Sequence, residues 1–176
     1  MFMDYNIDLL DHVLQVIDKQ LEGIVLESTE IEDPDQFGYF DKAEHITGLG
    51  FVSCQWYIAS SLGLLRMKKA QALLIGPLHR SGLSVVAIIN HAANYWKHHG
   101  EWSINKETYN QRRIVEAFNR VGFSIGTDYP LSGILTEIVV PHEIRFAPLM
   151  KLLEIWRDEL LNTNPPVVDR RNNNFP

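Results

Sequence analysis

Three of the chain's seven histidines fall within nine positions, inside the stretch SGLSVVAIINHAANYWKHHGEW at residues 81–102. At about 100° per residue on a helix, Val85, Val86, Ile89, Ala93 and Trp96 share one side. Ser84, His91, Asn94, Tyr95, His98 and Trp102 share the other, flanked by Lys97, His99 and Glu101. A surface helix normally carries Lys, Glu and Gln on its wet face. Imidazoles, an amide and a phenol in that place suit proton exchange or the gripping of a polar ligand.

General acid–base chemistry fits this set. An imidazole titrates near neutrality and both accepts and donates protons without a cofactor. A cation from Lys97 or Arg112 would hold a phosphate or balance a developing negative charge. The residues expected at the chemistry are His98, His99, Asn94 and Lys97, with His91, Tyr95, Arg112 and Trp102 contacting substrate. A metal centre is not expected. His91 and His98 are seven residues apart, too far for one helix to chelate an ion with both, and adjacent His98 and His99 diverge by about 100°. Glu44, His45 or His142 would have to complete such a site. No cofactor is expected either, because the chain has no phosphate loop, dinucleotide fingerprint or GxSxG elbow. Two blander readings compete with catalysis: a satisfied hydrogen-bond network between helices, and a dimer contact, where Tyr and Trp are favoured.

The elements that must position this stretch all read as helices. Residues 4–25 carry Ile7, Leu10, Leu14, Ile17, Leu21 and Ile24 at spacings of three and four, with Asp8, Asp11, Asp18 and Lys19 turned outward. The acidic segment that follows, with Pro34 and Gly38, is a loop. A second helix spans 41–67 on the apolar line Phe51, Cys54, Ile58, Leu62 and Leu65; Gly48, Gly50 and Gly63 weaken it but allow close approach. Residues 68–75 continue it or form a short helix. Gly76, Pro77 and Gly82 then break the pattern before the central helix, which ends near Gly100. Helices at 106–121, 131–139 and 145–161 follow, stopped in turn by Gly122, Pro141 and the paired Pro165 and Pro166. Trp56, Trp96 and Trp156 sit at core spacing, as does Cys54. No strand alternation and no repeat occur. The expectation is an all-α, single five- to six-helix bundle over residues 1–163, with a mobile tail at 164–176.

Bulk composition narrows the partners. Sixteen basic against 22 acidic residues leave a formal charge of −6, so no global basic field draws the chain to nucleic acid, although a local site is allowed. One cysteine precludes an intrachain disulfide and fits a reducing compartment. Arg66, Lys68, Lys69 and His79 interrupt the richest apolar region, and the acidic N-terminus lacks a signal peptide's basic start, so a cytoplasmic protein with no membrane contact is expected.

At residues 90–102, NHAANYWKHHGEW resembles the late helix of HEPN-domain proteins, small bacterial helical bundles, and the resemblance covers about residues 41–161. Members of that family act as RNase toxins, abortive-infection proteins or accessory subunits of defence systems. Their motif is an arginine, a polar residue soon after it, and a histidine after four to six intervening positions; two copies usually meet across a dimer. Here the permitted arginine positions hold Ala93, Ala92 and His91 counting back from His98, and Asn94, Ala93 and Ala92 counting back from His99. The resemblance implies metal-independent RNA cleavage, with His98 or His99 deprotonating a ribose 2′-OH, Lys97 or Arg112 stabilising the phosphorane-like charge, and Asn94 and Tyr95 positioning substrate. The missing arginine sets against this a nonenzymatic helical partner: an inactive HEPN-like subunit, an antitoxin or an immunity-type protein. A small-ligand pocket lined by the same stripe is a third class. A homodimer built on or beside the stripe, RNA, and a protein partner are the expected associations.

Overall fold

Each well-formed helix begins where a side chain captures its free amides. Asp4 accepts from the Ile7 amide at 3.2 Å, Ser84 from Ala87 at 3.1 Å, and Thr108 exchanges bonds with Gln111 in a full capping box. The computed structural model describes residues 4–65, 67–102, 108–126 and 128–163. Among them are seven α-helices: α1 (Tyr5–Ser28), α2 (Tyr39–Leu65), α3 (Lys69–Ala72), α4 (Val85–His98), α5 (Tyr109–Val121), α6 (Pro130–Ile138) and α7 (Ala147–Thr163). A 3-10 turn, His99–Glu101, extends α4. No strand occurs among the described residues, only one bridge between Leu78 and Ser84. The all-α expectation holds. The count exceeds five or six because α3 stands as a separate four-residue helix, entered through extended backbone at Lys68. The tail at 164–176 lies outside the described residues. No described helix is long and apolar enough to cross a membrane.

Helix α4 runs through the middle. Six consecutive residues, Val85 to Asn90, are buried, followed by Ala92 and Ala93. It packs on α2 and α5 and also touches α6 and α7. Helices α1 and α2 lie antiparallel: Asp4 and Asn6 at the start of α1 meet Tyr57 and Ser60 late in α2. Two glycines make α2 a tight partner on two sides. A Cβ at Gly48 would collide with the Trp96 indole, and one at Gly50 with the Phe146 ring. Trp156 is wholly buried and donates its indole N–H to the Ala72 carbonyl at 3.0 Å. Trp56 corrects the expected core: it is 48% exposed.

The start of α7 is fixed from α1. Asp18 accepts from the amides of Phe146 at 2.6 Å and Ala147 at 2.9 Å, a carboxylate at the positive end of a helix. Asp18→Ala is therefore expected to lower stability by about 1–2 kcal/mol in urea titration. An unchanged midpoint would mean that α7 is seated by apolar packing alone.

Candidate functional site

One cleft, about 820 Å³, opens where α3, the end of α4 and the start of α5 converge. Four of the expected residues line it: His91, Asn94, His98 and Trp102. The others go elsewhere. Tyr95 and His99 face a second, more acidic concavity with Asp41, Glu44 and His45. There the rings of Tyr95 and His99 stack at 4.9 Å, and His99 Nδ1 lies 3.1 Å from the carbonyls of Tyr95 and Trp96 on its own helix. Arg112 lies on another side of α5, beside Glu116 and Arg120. His98, exposed at the cleft mouth, has Nδ1 3.5 Å from Glu101.

Lys97 turns toward α2 and donates to Gln55 Oε1 at 2.6 Å. That contact settles the orientation of a buried amide, because ammonium only donates and the facing atom must be oxygen. Gln55 Nε2 then donates to Asn90 Oδ1 and Asn94 Oδ1, both at 2.9 Å. The network fixes the polar side of α4 against α2. It fulfils one of the blander readings for Asn94 and Lys97, yet leaves the cleft itself uncompensated.

The cleft's distinctive feature is charge. Lys69 of α3 and Arg113 of α5 line it, together with Thr108, Asn110 and Gln111 from the first turn of α5. That helix has no acidic residue in its first turn, so its positive end faces the cleft unneutralised. Glu101 is the one carboxylate among the described lining residues, and it sits beside His98. Against this wall lies His91, whose Nδ1 is enclosed and has no hydrogen-bond partner. Burial, with added repulsion from Arg113 and then Lys69, pushes its imidazole down from 6.5 to about 4. Burial and the nearby Lys97 likewise lower the Lys69 ammonium from its ordinary value. A neutral imidazole beside two cations and a helix N-terminus is an arrangement that an anion would complete.

The depressed imidazole makes a measurable prediction about folding. The unfolded chain protonates His91 as pH falls through 6.5, whereas the folded chain resists until about 4. The unfolded state binds more protons across that window, so stability is full above it and is lost as pH falls through it. At pH 4.5, wild type should have lost about 2–3 kcal/mol more than His91→Gln, each relative to pH 7, in urea titrations. Equal losses in the two proteins would show that His91 titrates normally.

Sequence reasoning missed Gln55, Asn90 and Lys69 and gave Arg113 only a secondary place. Gln55 and Asn90 had a readable signal, since an amide inside an apolar helical run needs a buried partner. Lys69 and Arg113 had none, because α3 and α5 meet only in the fold. The candidates for a metal site are otherwise engaged. Glu44 accepts from the Leu131 and Ser132 amides at the start of α6, His142 Nδ1 bonds the Thr136 carbonyl, and His45 packs on Trp96. No group of three metal-ligating side chains assembles among the described residues. Cys54 is buried, which raises its thiol pKa well above the ordinary value and suits a core residue rather than a nucleophile.

A further polar cluster anchors the turn before α4. His79 contacts Ser81 Oγ at 2.9 Å through Nδ1 and Glu137 at 3.1 Å through Nε2, and Arg80 pairs with the same carboxylate at 2.6 Å. Both ring nitrogens are thereby engaged in tying that turn to α6.

Comparison with family models, curated proteins and solved structures gives no match to this chain.

Proposed function

We propose that the α3–α4–α5 cleft holds the sugar–phosphate backbone of single-stranded RNA and that the chain is a HEPN-like, metal-independent ribonuclease of the cytoplasm, acting in a toxin or defence setting. The observation that carries this reading is His91: a neutral, unpartnered imidazole between Lys69 and Arg113 at the positive end of α5. A bound phosphodiester offsets the two cations, and its charge draws the His91 pKa back toward neutrality, where a general base works best. In the proposed step His91 takes the proton of a ribose 2′-OH as that oxygen bonds to the adjacent phosphorus. The P–O5′ bond breaks, the leaving oxygen takes a proton from His98, and a 2′,3′-cyclic phosphate and a 5′-OH remain. Lys69 and Arg113 stabilise the phosphorane charge. Asn94 orients the ribose, and Trp102 offers an aromatic face to a base.

Incubating the purified protein with single-stranded RNA in EDTA tests the reading. Cleavage leaving cyclic-phosphate ends is expected, and intact RNA between pH 5 and 8 would overturn it. The nonenzymatic alternative draws on a specific observation: no arginine occupies a HEPN motif position, and Tyr95 and His99 lie outside the cleft. Tight binding of 2′-O-methyl RNA, which lacks the attacking hydroxyl, together with failure to cut ordinary RNA would favour that inactive subunit.

A further inference from the structure

Helix α2 carries no charged residue across residues 46–65, twenty positions in a chain that is 22% charged. One side of that stretch fills the core. The other looks outward, with Leu49 38% and Trp56 48% exposed and Val52 half-buried between them. On neighbouring α1, Leu9, Val13 and Val16 are 52%, 38% and 64% exposed. The Asn6–Ser60 hydrogen bond and the antiparallel pairing set the register, so these three run alongside Trp56, Val52 and Leu49 in turn. The remaining outward positions of α1 carry Asp8, His12, Gln15 and Lys19, so the apolar choice is local to the side bordering α2. Together the six residues present roughly 500 Å² of apolar surface, at the upper end of what a monomer leaves open.

We infer that this two-helix strip is the contact between two copies of the chain. Its chemistry selects that occupant. The strip carries no charge, so it complements itself and offers an ionic partner nothing to pair with. Two copies would remove about 1,000 Å² from water, the lower limit for a specific interface. A two-fold axis through an antiparallel helix pair completes a four-helix bundle, with one Trp56 from each copy near its centre. None of the six residues lines the His91 cleft, so the dimer leaves that cleft open and stands or falls independently of the RNA reading. It also sets the contact away from Tyr95 and Trp102, the surface to which the sequence pointed. Because each copy carries a charge of −6, long-range repulsion opposes pairing, and added salt should tighten it.

Sedimentation velocity on the full chain tests this at micromolar concentrations, in low and high sodium chloride. A two-chain species is expected that tightens with salt. Trp56→Glu and Val16→Glu should each weaken it roughly tenfold or more, while circular dichroism shows unchanged helix content, since both sites are exposed. The Tyr95→Ala, Trp102→Ala double variant should pair like wild type. A monomer at every concentration and salt, a dimer that survives both glutamates, or one that dissolves in the double variant instead would overturn the inference.

Discussion

Replacing His91 with glutamine is expected to slow RNA cleavage by roughly 10²–10⁴-fold, the range for removing a general base, with the fold intact. Glutamine keeps much of the side chain's volume and can hydrogen-bond in the cleft, but it cannot take a proton near neutrality. The unpartnered Nδ1 means that no protein contact is lost on substitution, so stability at pH 7 should hold. His98→Ala removes the imidazole at the cleft mouth and should cost less, because water can protonate the leaving oxygen. His99→Ala should change cleavage by less than about threefold, because a ring stacked on Tyr95 in another concavity does not meet the substrate. This ranking separates the geometry from the motif resemblance, which would make His98 or His99 the base. A His99→Ala variant as damaged as His91→Gln, or a fully active His91→Gln, would return the chemistry to the motif positions.

Much of the frame was legible because caps and breakers act locally. Ser84, Thr108 and Gly122 delimit α4 and α5 through hydrogen bonds to their own neighbours or a left-handed φ of 106°. The apolar side of α4 was equally readable, since period and burial coincide from Val85 to Ala93. The site was half legible. Asn94 and Tyr95 are adjacent, hence about 100° apart, and a stripe wide enough to hold both spans two concavities once neighbouring helices pack on either side. Asn94 turns to the α5 side and Tyr95 to the α6 side. Arg112 and Arg113 differ by the same angle, and only the second reaches the cleft. Trp56 misled for a different reason. Its helix is apolar nearly all round, so periodicity cannot say which side is covered by this chain and which is left open.

Exchanging both Lys69 and Arg113 for methionine should weaken binding of a 2′-O-methyl RNA by about a hundredfold or more, at 1.5–3 kcal/mol for each charge-assisted contact. The slope of log affinity against log salt should fall by about two, one for each lost phosphate contact. Stability should move the other way or stay level. Arg113 and Lys69 both oppose charge on His91, and Lys69 is itself strained by burial and by Lys97. Removing the pair relieves that opposition, so the His91 imidazole should rise part of the way from about 4 toward 6.5, measurable by proton NMR titration of its ring. The loss of stability between pH 7 and 4.5 should shrink accordingly. Burial remains as the largest cause of the depression, so full recovery is not expected. Cations retained only for structure predict the reverse pattern, because a charge with a protein partner destabilises when it is removed. Unaltered RNA affinity, or a marked loss of stability with His91 still depressed, would therefore mark Lys69 and Arg113 as scaffold. Weaker binding with a fold at least as stable would mark the unfavourable charge as kept for a ligand.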